Sequence, residues 1–381
     1  MNNNTTTFIK ETSPHLRRKS SVSMMMFDVI VALLPTLLFS AYVYQLSLLW
    51  PLLIAIVTMV GAEFIFVGLT NMMKFDGKKH TFVERLKYAY QNYSVSNILA
   101  PIVSAIIFTL IVPPYKLDGS SIPLYGYFIG ALVGIGIGKL VFGGLGSNIF
   151  NPAAVGMIFT KFCWGSRISY FTPASGYFEV LDASAGSTAL GAVANNINNI
   201  YNIGLLDMFI GKMPGTLGEA FTVTLLIGAI YLIIRRAADF RIMLSYLLTF
   251  SGLMLIAGLC INSLKPDIHV FHFLAFHLLS GGVIIGAVFM LTDPVTSPTN
   301  KPGRVMFGMI AAVITVLIRL FGSLPEGVAY SILIANMLVP MIEYYKWTSP
   351  KYNWKNLTIM GCIFVVPMVI MVLGILYGGA Y

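Results

Sequence analysis

The chain has 381 residues, of which 57% are hydrophobic and 10% charged, with a mean hydropathy of +0.81. Soluble domains carry roughly 25% charged residues, so a water-soluble globular fold is excluded. The formal net charge is +9, but Lys and Arg sit in short links between apolar runs, which is the pattern of a polytopic membrane protein and excludes a nucleic-acid-binding face.

Residues 1–24 form a polar tail with Arg17, Arg18 and Lys19. The tail resembles a signal-peptide n-region. The apolar run behind it is long and lacks a small-residue cleavage site, so it is read as a retained first span. About 20 apolar residues cross a bilayer. On that measure candidate spans fall at 25–45, 47–73, 95–113, 122–142 and 148–164, which make a first bundle over 25–164. The last of these is short and opens at Asn-Pro. Residues 165–217 are the largest non-membrane stretch, rich in Gly, Ser, Ala and Asn, with Arg167 and Lys212 against Glu179, Asp182 and Asp207. A second bundle over 218–381 holds spans at 218–235, 240–263, 270–290, 304–321, 325–345 and 355–378. The expected fold is an all-α polytopic membrane protein of ten or eleven transmembrane helices, some of them half-helices.

Five basic links set the orientation. They carry Arg17, Arg18 and Lys19; Lys74, Lys78, Lys79, Arg85 and Lys87; Arg235, Arg236 and Arg241; Lys301 and Arg304; and Lys346, Lys351 and Lys355. All five fall on one side when 148–164 counts as a crossing. That side is expected to be the cytoplasm of a cell inner membrane, with the N-terminus inside and the 165–217 loop outside. A long outer loop of small residues is a natural place to display a function.

The strings at 146–153 (Gly-Ser-Asn-Ile-Phe-Asn-Pro-Ala) and 290–298 (Met-Leu-Thr-Asp-Pro-Val-Thr-Ser-Pro) each follow a Gly-rich helix and break at Asn-Pro or Asp-Pro. They read as traces of an internal duplication with broken helices near a binding site, an architecture like that of urea and ammonium channels. Cys163, Cys260 and Cys362 are far apart, without ligand spacing, and read as small hydrophobes in helix packing. Phe, Tyr and Trp are abundant and are expected in lipid-facing or interfacial belts.

The outer loop contains Asp182-Ala183-Ser184-Ala185-Gly186-Ser187-Thr188-Ala189-Leu190. With Gly144 to Gly156 and Phe289 to Thr299, this string makes the whole chain resemble one family. It looks like the D subunit of the Rnf complex, the ion-translocating ferredoxin:NAD oxidoreductase, and is similar to the B subunit of the sodium-pumping NADH:quinone reductase. The resemblance implies FMN joined through its phosphate to Thr188 by a flavin transferase that uses FAD. In the family pattern Asp-x-x-Ser/Thr-Gly-Ala/Ser-Thr, Asp182 is the acidic position, Gly186 the glycine and Thr188 the acceptor. Ala185 departs from the usual hydroxyl residue and Ser187 takes the rarer choice. A hydroxyl needs activation by the transferase, Gly and Ala let the loop enter that enzyme extended, and the acidic residue helps hold the metal that carries FAD.

The resemblance also implies a second, non-covalent flavin (riboflavin), expected near the breaks at Asn151 and Asp293. It implies as partners the B, C, A, E and G subunits of the Rnf complex, the last of them bearing the second FMN. NAD and ferredoxin fall to those subunits, because no P-loop, GxGxxG fingerprint or nucleophile–base triad is present here. Glu63 lies mid-span and is the favoured ion-path residue, with a paired carboxylate as the plainer reading. Asp28, Asp293, Glu326 and Glu343 lie within or at the ends of spans, and Asp293 also suits a helix cap. His269 and His272 share a face with i, i+3 spacing, and with His277 read as hydrogen-bonded helix-end residues. The expected function is a redox subunit coupled to Na⁺ or H⁺ movement, and the alternative is a secondary transporter or channel without a redox cofactor.

Overall fold

The computed structural model describes residues 21–44, 46–74, 82–91, 93–115, 121–165, 189–211, 213, 215–322, 327–344 and 351–377. Among these the chain is helical and contains no strand. In hydrocarbon each backbone N–H and C=O must be satisfied within the segment, which a helix achieves alone. The helices are α1 (Val22–Tyr44), α2 (Leu46–Lys74), α3 (Phe82–Ala89), α4 (Val95–Ile111), α5 (Leu124–Gly138), α6 (Pro152–Trp164), α7 (Ala189–Asn195), α8 (Leu205–Ile210), α9 (Leu217–Ala220), α10 (Thr222–Arg235), α11 (Phe240–Leu264), α12 (Val270–Leu279), α13 (Val283–Ile285), α14 (Lys301–Phe321), α15 (Val328–Glu343) and α16 (Trp354–Tyr377).

Six of them are long and apolar enough to span a bilayer: α1, α2, α5 with the turn that extends it to Phe142, α11, α14 and α16. The bent pair α12–α13 makes a seventh crossing. Helices α4, α10 and α15 are apolar but shorter, and α6 has 13 residues. Each predicted span therefore coincides with one of these apolar helices, and 148–164 is a half-length helix, as its Asn-Pro start implies.

Chain order repeats. In the first half α2 packs on α4 and α5, and α5 packs on α6; in the second α11 packs on α12 and α14, and α14 packs on α15. Helices α1 and α10 pack together between the halves, and α16 stands outside the repeat with most of its surface uncovered in this chain. The duplication is visible in this order, not in the two strings that suggested it. Segment 146–153 links α5 to α6, whereas 290–298 links α13 to α14. Their likeness has a local cause: a helix break inside a membrane needs a side-chain acceptor for its loose N–H groups, and Asn or Asp beside Pro supplies one.

Gly126, Gly130, Gly134 and Gly138 recur at every fourth residue of α5. A Cβ on Gly134 would stand 2.7 Å from the Pro152 carbonyl oxygen, and one on Gly138 2.8 Å from Pro152 Cα. The missing side chains let α5 and α6 pack backbone to backbone, the usual way helices associate where lipid removes the hydrophobic drive. The second half breaks instead. Between α12 and α13 the axis turns by 60° at Gly281 and Gly282, whose φ values are +66° and +70°. A Cβ on Gly281 would collide with Leu190 and Arg319. Beyond α13 the helix widens into a π turn over Gly286–Met290, closed by the Leu291 N–H donating to the Gly286 carbonyl at 2.9 Å.

Residues 189–211 do not form an open loop. Helices α7 and α8, with a 3₁₀ turn at Ile197–Tyr201 between them, bury Ala189, Leu190, Val193, Ile197, Ile200 and Met208. The Arg235 guanidinium bonds Asp28 at 3.1 Å, and Arg241 and Arg304 both pair with Asp239. These contacts gather the start of α1, the end of α10 and the starts of α11 and α14 at one end of the bundle, called here the basic end. Cys163 and Cys362 are exposed and Cys260 half-buried, all three unpaired; the first two therefore face outward and do not fill the helix packing.

Candidate functional site

A cleft with about 750 Å³ of atom-free space lies among α1, α4, α10 and the two broken strings; about 60 Å³ of it is wide enough for water. Most of its wall is apolar, with Met25, Val103, Ile107 and Phe289 among the lining residues. One end is polar and is made by Lys139, Asn148, Asn151, Thr292 and Asp293. Met25, Ala237, Ala238, Thr292 and Pro294 also line a wider recess that carries Arg236, Asp239, Arg241 and Arg304. The cleft therefore leads toward the basic end.

Lys139 is the first residue beyond α5, where a 3₁₀ turn and the positive-φ residues Gly143 and Gly144 reverse the chain. Its Nζ lies 2.6 Å from Glu63 Oε2, in the middle of α2, and the two side chains are 4% and 0% exposed. The two groups form a buried ammonium–carboxylate pair at hydrogen-bonding distance. Asp293 is within electrostatic reach of Lys139, and the Asn148 side chain lies against its carboxylate. That carboxylate also accepts from the Val295 N–H at 3.2 Å and the Thr296 hydroxyl at 3.3 Å. Asp293 thus closes a turn over 293–296 and caps no helix; the next helix begins at Lys301 with Asn300 as its cap.

Asn151 caps α6. Its side-chain oxygen accepts from the Ala153 and Ala154 N–H groups at 3.0 and 3.3 Å, while its Nδ2 donates to the Met290 carbonyl at 3.2 Å. The Asn151 N–H donates to Asn336 Oδ1 at 3.3 Å, and Asn336 Nδ2 donates to the Thr296 carbonyl at 3.1 Å. One asparagine on α15 therefore ties the two broken strings together. The sequence-predicted residues Glu63, Asn151 and Asp293 converge on one cluster, with Lys139 at its centre. The cluster holds two carboxylates to one ammonium, so with all three ionised it retains one uncompensated negative charge.

A second polar cluster lies at the other end of α14. The Arg319 guanidinium donates to the carbonyls of His277 at 2.7 Å, Ser280 at 3.0 Å and Gly281 at 2.8 Å and rests over the Phe250 ring. These are the carbonyls that the α12–α13 break leaves without helical partners. Glu219, on α9, is within electrostatic reach of Lys161 and Arg319.

Asp182, Gly186, Ser187 and Thr188 lie outside the described residues, as does Glu326. Ala189 is buried with Leu190 at the start of α7, where Leu190 sits against Gly281. Asp28 is held by Tyr231 and Arg235, and Glu343 accepts from the Thr299 N–H and hydroxyl at 2.5 and 2.7 Å. His272 meets the Ile200 carbonyl at 3.0 Å and the His269 N–H donates to the Tyr201 hydroxyl. No group of three His, Cys, Asp or Glu able to hold a metal occurs among the described residues. The sequence reading missed Lys139, Arg319 and Asn336. A signal for the first two was present, since an ionisable residue within an apolar span is a functional candidate by default.

Residues 9–351 match the sequence profile of the NQR2, RnfD, RnfE family. The chain is 31% identical to the B subunit of the Na(+)-translocating NADH-quinone reductase of Ectopseudomonas mendocina, over 88% of this chain and 87% of the relative. It is 30% identical to the D subunit of the proton-translocating ferredoxin:NAD(+) oxidoreductase complex of Clostridium ljungdahlii, over 90% of this chain and 95% of the relative. The B subunit of the Na(+)-translocating NADH-quinone reductase of Chromohalobacter salexigens is 36% identical over 64% of this chain and 57% of its own length.

Proposed function

This chain belongs to the NQR2, RnfD, RnfE family, and we propose that it is the D subunit of an Rnf-type ferredoxin:NAD⁺ oxidoreductase, carrying covalent FMN on Thr188 and relaying electrons coupled to Na⁺ or H⁺ movement. It is a multi-pass membrane subunit of the kind found in ion-translocating oxidoreductase complexes. The observation that carries the reading is similarity to a D subunit along 95% of that relative's length. The presence here of the Asp182 to Thr188 attachment string supports it. In this reading the basic end faces the cytoplasm of the inner membrane, Thr188 lies on the other side, and the B, C, A, E and G subunits are the partners.

The flavin transferase joins Thr188 Oγ to the FMN phosphoryl of FAD, with AMP as the leaving group; Asp182, Gly186 and Ser187 present the acceptor. The bound flavin supplies exchange between one-electron and two-electron carriers. The reading includes a second, non-covalent flavin (riboflavin) near the breaks at Asn151 and Asp293, but the cleft there, with about 60 Å³ wide enough for water and both ends of the Asn151 amide engaged, does not fit a flavin ring as it stands. Glu63 belongs to the ion path.

The test is fluorescence of the denatured polypeptide in a gel under ultraviolet light, backed by intact mass. The wild-type chain carries a yellow-green band and the added mass of FMN less one water. Thr188→Ala removes both while the protein still inserts. An unmodified wild-type chain overturns the redox reading and leaves a transporter or channel, the second reading that the repeated helix order and the broken helix favour.

A further inference from the structure

Lys139 is the centre of the first cluster and has no place in either the flavin or the attachment chemistry. Three observations bear on it. Its ammonium is buried against Glu63 at 2.6 Å, the one ion pair it makes among the described residues. It faces a second carboxylate, Asp293, and lines a cleft that leads to the basic end. A similar string, one residue shorter, stands in the other half: Arg319-Leu-Phe-Gly-Ser-Leu324 beside Lys139-Leu-Val-Phe-Gly-Gly-Leu145. Each string ends the helix that packs on both neighbours in its half, α5 or α14.

The repeat makes the contrast informative. Arg319 is locked by three carbonyl acceptors. Lys139 occupies the corresponding place with a flexible four-carbon stem and one ionic contact. Arg delivers a rigid fork of donors, whereas Lys is a point charge that can be exchanged for another point charge. A buried carboxylate needs a counter-charge at all times, because leaving it alone in a dry interior is strongly unfavourable.

We propose that Lys139 is a tethered counter-cation for Glu63, and that the transported cation or proton reaches Glu63 by displacing its ammonium toward Asp293. The proposal rests on the reading of Glu63 as part of an ion path. In it, Lys139 sets how strongly the site takes its ion. When the ion arrives, the Lys139 stem swings toward Asp293; when the ion leaves, the ammonium returns, so Glu63 is never left uncompensated. The charged groups facing the pair are Glu63 and Asp293, and Tyr93 is the further titratable group near Glu63.

The experiment uses the whole complex in proteoliposomes. Electron transfer is measured against Na⁺ at fixed pH, and against pH without Na⁺. The ion on which the wild-type rate depends is the coupling ion. For that ion the half-saturating concentration is expected to fall about tenfold or more in Lys139→Met and to rise by a similar factor in Lys139→Arg, where the fork holds Glu63 in a two-point contact. Lys139→Met, if isolated, should also melt at a temperature that rises with that ion, a dependence weaker in wild type. Equal half-saturation in wild type and in the variants that assemble overturns the proposal, as does failure of both variants to assemble. A wild-type rate that responds to neither Na⁺ nor pH instead removes the ion-path reading itself.

Discussion

Two buried cations among the described residues, Lys139 and Arg319, sit at corresponding places in the two halves and are treated in opposite ways. Around Arg319 the two terminal nitrogens reach three backbone carbonyls, so the guanidinium is part of the scaffold and lets a helix break within the membrane region, although its Nε is buried without a hydrogen-bond partner among the described residues. Around Lys139 the scaffold is complete without it: Asn151 and Asn336 join the broken strings, and Asp293 closes its own turn. Lys139 is left to meet charge alone. One repeat position has become a fastening in one half and an exchangeable contact in the other.

Substitutions can break that comparison or sharpen it. The largest effect is expected from Arg319→Leu, which strands three buried carbonyls at about 1–3 kcal/mol each; folded yield in detergent should collapse. Arg319→Lys should rescue it only in part, because its three donors diverge from a single nitrogen and do not reproduce the two-nitrogen fork that spans His277 to Gly281. If Arg319→Leu melts like wild type, the fastening role is wrong. Next come the single variants Lys139→Met and Glu63→Gln. Breaking a buried pair from the Lys139 side removes about 3–5 kcal/mol, whereas the double variant should regain most of it, since neutral replacements of a buried pair are often tolerated. A double-mutant cycle on thermal unfolding measures that coupling, and additive losses would contradict the pair. Asn151→Ala should cost about 1–2 kcal/mol through the lost helix cap and loosen the contact between the two strings, seen as faster proteolysis near 146–153. The smallest effect belongs to Arg235→Ala. That guanidinium is 45% exposed, and solvent screens a pair of this kind, so little or no shift in melting is expected.

The helical fold was readable because hydrocarbon leaves so few choices. Long apolar runs had to be helices, and basic links had to gather at one end, as Arg235, Arg241 and Arg304 do. The positions of Glu63, Asn151 and Asp293 were also readable, since a polar residue in such a run stands out against its surroundings. Their meeting was not, because it depends on α2, α6 and the segment after α13 converging in space, and no spacing along the chain encodes that. Lys139 lies near the end of the predicted span 122–142, where a lysine can reach water, and only the 3₁₀ turn behind it, which folds the chain back, buries the ammonium. Arg319 lies two residues before the end of α14 and has the same disguise. The α12–α13 break was missed as well, although Ser-Gly-Gly interrupts that span, because the string reads as a helix with small residues until an arginine from another helix takes up its carbonyls.

The π turn at Gly286–Met290 has a consequence for how the cluster can move. It holds one residue more than an ordinary helical turn would, and successive residues on a helix differ in direction by about 100°. Tightening it to normal pitch would rotate everything downstream by that angle, carrying Asp293 away from the Lys139 ammonium without unfolding a helix. The distance between the second carboxylate and its cation is therefore governed by the winding of a stretch that bears no charge at all.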